Sequence, residues 1–288
     1  MLHVDPKVRP STSPPDFMHK GYVLIKEPLN LREAGQKWFD GVYEQERDRT
    51  RQGGLVLGAT PWLAKLLCRD YRRVVLVDIN EAMLRLSGQE LSEDPDASDA
   101  KIEFVHADWR AMPMFPEPFS MIIGDNSFSF LPFPEVWNFL CEELGARMCS
   151  GAKLLIRVLS VPAGHRSCSA DEIVERFIAY DSINYTEVRA NLLFSQWDEG
   201  TYTIPTERAL AEFEANQASF QRLFARFPIL PDNDLITVTK YRGSGTIYYA
   251  PPLPEIFKLI ERTFRVTSVH FGPYAMSQYF PLLVASKE

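Results

Sequence analysis

The stretch GGLVLGATPWLAKLL (Gly53–Leu67) decides the fold. It opens with the apolar run Leu55–Leu57, bounded by glycines and short enough for a buried strand, and passes at Gly58 into an apolar helical pattern. Thr60 stands just before that helix and Pro61 at its first position. A threonine N-cap followed by proline predicts a firm helix start, because the hydroxyl satisfies an orphan amide and the ring pre-sets φ. Gly58 is the residue that lets the backbone turn sharply and come close to a ligand. A dinucleotide-binding turn would carry further glycines where Ala59, Thr60 and Pro61 stand. Proline at the first helical position also removes one of the amides that a pyrophosphate needs. The turn suits a ligand without phosphates; on its own it reads as a plain strand-to-helix connection.

Outward from this unit the chain alternates. A helix over Leu31–Asp48 precedes it. RVVLVD (Arg73–Asp78), KIEFVHAD (Lys101–Asp108), FSMIIGDN (Phe119–Asn126) and GAKLLIRVLS (Gly151–Ser160) read as four more strands. Helical segments NEAMLRLSGQEL (Asn80–Leu91) and PEVWNFLCEELGARM (Pro134–Met148) lie between them. Apolar β-branched runs separated by helices imply an α/β fold with a doubly wound, mostly parallel sheet covered on both faces. Ligands of such sheets bind beyond the carboxyl ends of the strands, so chemistry is sought there.

The chain as a whole excludes several classes. Its 288 residues fit one large α/β domain, or one domain with a substantial insertion. A net charge of −7 argues against a dedicated nucleic-acid binder, which needs clustered Lys and Arg. No apolar stretch is long enough to span a bilayer, and the proline-rich start, MLHVDPKVRPSTSPPDF, lacks the apolar core of a secretory signal. Residues 1–30 read as a flexible lead-in. Cys68, Cys141, Cys149 and Cys168 form no CxxC pair and have no histidine at metal-ligand spacing. Reduced thiols in a cytoplasmic protein without a metal are the expectation.

The strand ends carry the candidate site. Asp78 lies twenty positions beyond Gly58, at the tip of the second strand, where a carboxylate accepts both hydroxyls of a ribose. Its bland role is to cap the next helix, a job that Asn80 does equally well. Asp108 and Trp109 end the third strand; an acid there accepts from a purine's exocyclic amine while the ring frames the base. A helix cap with a buried tryptophan explains the pair equally well. Gly124, Asp125, Asn126 and Ser127 end the fourth strand, and turn formation alone accounts for all four. Beside a cofactor they would orient the reacting groups.

In their order along the chain these features resemble the Rossmann-like class of S-adenosylmethionine-dependent methyltransferases, from about Gly53 to Leu159 and again near the C-terminus. LVLGATPWLA is similar to that family's first motif in a variant form, with Thr-Pro after a single glycine. The resemblance implies that Gly58, Ala59, Thr60 and Pro61 lie against the methionine and ribose portion of the cofactor. It implies that Asp78, with Ile79, Asn80 and Met83 beside it, holds the ribose. Asp108 and Trp109 match the adenine-contacting segment. Asp125, Asn126 and Ser127 match the fourth motif, near the transferred methyl. Trp38 and Tyr43 sit on a helix that in relatives often folds over the cofactor; packing against the sheet edge is the equal alternative. The family closes a seven-stranded sheet with a helix and an antiparallel last strand. PPLPEIFKLIERTF (Pro251–Phe264), RVTSVHFG and QYFPLLVAS supply these parts, with Ile256, Leu259, Ile260 and Phe264 on one side of the helix.

Residues 31–162 and 251–288 then form the cofactor-binding core, and residues 163–250 an inserted lid or substrate-binding region. SADEIVERFIAYDS and ERALAEFEANQASFQRLFARF in it read as helices, the second with Leu210, Phe213, Phe220, Phe224 and Phe227 at roughly helical spacing. LITVTKYRGSGTIYYA reads as a hairpin around Arg242–Gly245. Extra core or a dimer interface explains the phenylalanine stripe better than ligand contact does. His165, just after the fifth strand, is the best candidate base, and Tyr202 a candidate for shaping the pocket; a surface loop is the bland reading for the histidine. The expected acceptor is a small molecule, with no nucleic-acid or membrane partner. Three alternatives stand: an aminopropyl transferase-like enzyme, a nucleotide-binding oxidoreductase without its GxGxxG, and a non-catalytic cofactor-binding or interaction protein.

Overall fold

A computed structural model describes residues 27–47, 53–97, 99–228, 238–239 and 241–288. Most of the expected lead-in therefore lies outside the described residues. The chain forms two compact units. One comprises Asn30–His165 and Tyr249–Glu288; the other comprises Arg166–Tyr248 with the described residues before Asn30.

In the first unit, α1 (Glu33–Glu46) precedes β1 (Gly54–Leu57), α2 (Pro61–Cys68), β2 (Arg73–Asp78), α3 (Glu81–Ser92), β3 (Lys101–His106) and β4 (Phe119–Asp125). Then come α4 (Glu135–Arg147) and β5 (Met148–Arg157). The seven-stranded sheet has the order β3-β2-β1-β4-β5-β9-β8, where β8 is Arg265–His270 and β9 is Leu282–Ser286. Strands β1 to β5 are parallel, and β9 runs antiparallel to both β5 and β8. This is the doubly wound sheet expected from the alternation, closed by an antiparallel last strand.

The strand period of two sorts the core. Leu55, Leu57, Val75, Val77, Ile122, Leu154 and Ile156 pack with Trp137, Leu140 and Leu144 of α4 and with Ile256, Leu259 and Ile260 of the helix before β8. Val56, Val74, Leu76, Met121, Ile123 and Leu155 pack on the other side with Phe39, Leu63, Leu67 and Leu84. Each such side chain contributes roughly 1.5–3 kcal/mol when fully buried. The start of α2 differs in detail from expectation: Thr60 is the N-cap, but its hydroxyl makes no capping hydrogen bond. Its carbonyl instead accepts from Leu63 and Ala64, both at 3.2 Å.

In the second unit, α5 (Ala170–Ile178) starts with a reciprocal Ser169–Glu172 capping box, and α6 (Tyr185–Phe194) follows. The long segment expected as one helix is two, α7 (Thr206–Ala215) and α8 (Gln217–Arg226), broken at Asn216 (φ −114°, ψ 30°). The break folds Phe213 onto Phe220 at a ring separation of 4.8 Å, and both are buried. Leu210, Phe213 and Phe220 of the stripe are buried, and Phe224 and Phe227 are half-buried. The expected hairpin is not formed as read. Residues 235–237 and 240 lie outside the described residues, Val238 and Thr239 are in a 3₁₀ turn, and β7 (Ile247–Tyr249) pairs with β6 (Thr203–Pro205). The helix before β8 is α9 (Leu253–Ile260). No described helix is long and apolar enough to cross a membrane.

Candidate functional site

The first-strand turn, Asp78 and Trp109 meet at the carboxyl ends of β1, β2 and β3. Gly58 has φ +113°, which L side chains rarely adopt. A Cβ placed there would stand 3.7 Å from Thr60 Oγ1, 3.8 Å from Asp78 Oδ2 and 3.9 Å from Trp109 Cζ2. The missing side chain therefore leaves a small cradle walled by a hydroxyl, a carboxylate and an indole. Trp109 is fixed there: its Nε1–H donates to Val77 O at 2.7 Å, and the Gly58 amide donates to the same carbonyl at 2.9 Å.

Asp78 organises the turn. Its Oδ2 accepts from the Ala59 amide at 2.8 Å and its Oδ1 from the Asn80 amide at 2.7 Å. Asn80 performs the helix capping, accepting from Met83 N at 3.1 Å. Burial pushes the Asp78 carboxyl above the ordinary carboxylate value, against the pull of the Asn80, Ala59 and Ile79 amides and of His106. A carboxylate has about four acceptor positions, so Asp78 retains acceptor capacity beyond these backbone amides. Ile79 is 37% exposed beside it, and His106, opposite Asp78 in the β2–β3 register, donates from Nε2 to Ile79 O at 2.9 Å.

Two amides of this turn are engaged within the protein. The Gly58 amide goes to Val77, the Ala59 amide goes to Asp78, and Pro61 has none.

At the third strand, Asp108 receives Arg110 from its backbone amide at 2.9 Å and from Nε at 3.0 Å to both oxygens. Although burial raises it, the Arg110 hydrogen bonds prevail and hold the Asp108 carboxyl below its ordinary value. Arg110 Nη2 also donates to Oδ2, so both carboxylate oxygens are held by Arg110.

At the fourth-strand turn, the Asp125 side chain is 7% exposed, and its Oδ1 accepts from Arg157 Nε at 2.5 Å. Arg157 is wholly buried, lies 5.4 Å from the Phe280 ring centroid, and also donates to Tyr274 Oη at 3.3 Å. Ser127 is buried too, and its hydroxyl donates to Leu57 O at 2.6 Å, the carbonyl just before Gly58. Only glycine permits this at 124, because a Cβ there would stand 2.7 Å from Ser127 Oγ. Asn126 turns the chain in the left-handed region (φ 56°), its amide donating to Arg157 O at 2.8 Å. The turn is a brace between the ends of β1 and β5.

Tyr43 is wholly buried, and its hydroxyl donates to Asp70 at 2.8 Å, in the turn that precedes β2 at the amino end of the sheet. Burial, then the hydrogen bond to Asp70, pushes the phenol well above its ordinary value. Trp38 is half-buried and meets Tyr274 edge-on at 6.1 Å. Tyr202 belongs to the second unit, at φ 55° and stacked 6.3 Å from Trp197. His165 is half-buried, its Nδ1 3.0 Å from Tyr279 Oη.

Arg157, Tyr274, Tyr279 and His106 escaped the sequence reading. Arg157 alone left a signal, as a charge inside the apolar run LLIRVL, where burial demands a partner. Among the described residues no group of three or more His, Cys, Asp or Glu is placed to hold a metal ion, and the cysteines are free.

No protein-family model and no curated protein matches this chain. Solved structures do. The chain is similar to the CcbJ methyltransferase of Streptomyces caelestis (TM-score 0.57, 10% identity, 96% of this chain and 98% of that one). It is similar to a SAM-dependent methyltransferase of Methanosarcina mazei (TM-score 0.52, 12% identity, covering 85% and 96%). A Rhodobacter sphaeroides structure named after Zn-dependent alcohol dehydrogenases also superposes (TM-score 0.55, 14% identity, covering 93% and 97%). With its sheet order and antiparallel last strand, the chain has the Rossmann-like fold of the S-adenosylmethionine-dependent methyltransferases.

Proposed function

We propose that this protein is an S-adenosylmethionine-dependent methyltransferase acting on a small-molecule acceptor. The observation that carries the reading is the Gly58 cradle, which would offer a ribose the Asp78 carboxylate, with the Gly58 and Ala59 amides engaged within the protein. The dehydrogenase reading lacks both the glycine-rich phosphate loop and, among the described residues, a metal cluster.

Asp78 accepts the ribose hydroxyls, aided by Asn80 and Met83, which fix the start of α3. Ile79 and Trp109 flank the base, and Asp108, held by Arg110, accepts from its exocyclic amine. Gly58, Ala59, Thr60 and Pro61 line the ribose and methionine portion. Trp38 and Tyr274 lie toward the end of β5. When bound, the cofactor supplies a methyl group on a cationic sulfonium, which is its own leaving group. The protein's task is alignment and, for an oxygen or nitrogen acceptor, removal of a proton, for which His165 is the base. Residues 163–250, inserted after β5, supply the substrate-binding region, with Tyr202 as one of its residues. The net charge of −7 fits a small acceptor better than a nucleic acid.

The test is incubation with S-adenosylmethionine and a panel of small hydroxyl, amine, thiol and carboxylate compounds, reading S-adenosylhomocysteine release. Acceptor-dependent release that Asp78→Ala abolishes supports the proposal. Binding without release across the panel supports the non-catalytic alternative.

A further inference from the structure

Three strand ends meet at one backbone oxygen, the Val77 carbonyl of β2. From the end of β1 the Gly58 amide donates to it at 2.9 Å, and from the turn after β3 the Trp109 Nε1–H donates at 2.7 Å. A carbonyl oxygen has two lone pairs, so these two donors fill it. The next peptide of β2 is held from the same side, the Asp78 carbonyl accepting from Ala107 N at 3.1 Å. Asp78 Oδ2 accepts in turn from the Ala59 amide at 2.8 Å, which leads back to the turn that follows β1.

Trp109 comes to this oxygen from a short piece of chain. Residues Trp109–Ala111 form a single 3₁₀ turn, closed by Ala111 N donating to Asp108 O at 2.8 Å. Arg110 is tied down on Asp108, whereas the indole reaches across the sheet end to a residue 32 positions earlier. The ring is half-buried and packs on the side of the sheet that carries Leu57 and Val77. Its Cζ2 stands 3.9 Å from where a Gly58 Cβ would be, so the edge beside the donating nitrogen closes the cradle. A half-buried indole can leave its N–H to water; this one spends it on the peptide that also receives the Gly58 amide.

We propose that Trp109 is a positioning residue of the cofactor site: through its N–H, beyond any contact of its ring with the base, it holds the Val77 peptide, and with it the Gly58 turn and the Asp78 carboxylate, in the binding arrangement before the ligand arrives. This inference deepens the methyltransferase reading and rests on it. A ligand that must first order its site binds more weakly by the cost of that ordering, and a site already ordered spares it. The indole N–H therefore adds affinity without touching the ligand. Because the turn and Asp78 serve the nucleoside end, the gain is the same for S-adenosylmethionine and S-adenosylhomocysteine.

The test replaces Trp109 by benzothienylalanine, which keeps the size and aromatic face of the indole but carries sulfur in place of N–H. Loss of one neutral hydrogen bond predicts that S-adenosylmethionine and S-adenosylhomocysteine both bind about three- to tenfold more weakly in calorimetric titration. In the unliganded protein the Gly58 amide, followed by NMR, exchanges with solvent faster by a similar factor. Trp109→Phe, which loses ring area as well, weakens binding further. An isostere that binds both ligands as the wild type does, or that leaves Gly58 exchange unchanged, overturns the inference, and the indole is then a wall of the cradle and nothing more. A fall in urea stability with affinity unchanged overturns it in the same way. Failure of folded wild type to bind either ligand overturns the underlying reading instead.

Discussion

Replacing Arg157 by methionine removes the cation from the brace at the ends of β4 and β5. Arg157 is fully buried and Asp125 is 7% exposed, so neither charge has water to fall back on. The substitution deletes the 2.5 Å hydrogen bond to Asp125, the 3.3 Å hydrogen bond to Tyr274 and the cation–π contact with Phe280, and leaves the carboxylate without its partner. Breaking a buried pair from one side costs about 3–5 kcal/mol, a large share of the roughly 5–15 kcal/mol that holds a domain together. Replacing both members with apolar residues, as in Arg157→Met with Asp125→Leu, costs far less, because no buried charge is left. Urea unfolding of both single variants and the double variant yields the coupling energy, and titration with S-adenosylhomocysteine reads the site. The single variants are expected to lose most of the stability the double variant retains. If Arg157→Met costs under about 1 kcal/mol, the pair is not the brace described here.

Gly58→Ala forces a side chain into φ +113° and fills the cradle, so it is expected to cost about 1–3 kcal/mol and to abolish S-adenosylhomocysteine binding; thermal unfolding with calorimetry checks both. Tyr43→Phe loses only the hydrogen bond to Asp70, so stability falls by about 1–2 kcal/mol in urea while cofactor affinity is unchanged. The raised Asp78 carboxyl makes binding pH-dependent with a defined sign. Ribose hydroxyls favour the ionised form, so affinity falls, up to tenfold per unit, as pH drops below the raised value. In the unliganded protein the same group stabilises the fold below the ordinary aspartate value, and that contribution is lost as pH rises through the raised one. Calorimetric titrations across the acid range, in buffers of different ionisation enthalpy, register the linked proton release.

The sheet was legible because its strands are apolar runs of the right length between helical patterns, and RVVLVD gave the bounds of β2 to the residue. Gly58, Asp78 and Trp109 were legible for a related reason: each directly follows or ends such a run, so topology alone brings them to one edge. What side chains do to one another was not. Asp125 and Ser127 stood where site residues stand, but their partners, Arg157 and the Leu57 carbonyl, are 32 and 70 positions away and are adjacent only through the sheet. Tyr43 shares a helix with Trp38, and nothing in the spacing told that it is tied to the amino end of the sheet. The break at Asn216 escaped because the phenylalanine period runs through it.

The most direct measurement is calorimetric titration of S-adenosylhomocysteine into the wild type and into Asp78→Ala, with circular dichroism confirming that both are folded. Losing two hydrogen bonds to a charged acceptor, at about 1.5–3 kcal/mol each, predicts affinity weakened by about 10²- to 10⁴-fold in the variant. No binding by folded wild type, or equal binding by Asp78→Ala, contradicts the account and leaves the turn at Gly58 a connection between a strand and a helix.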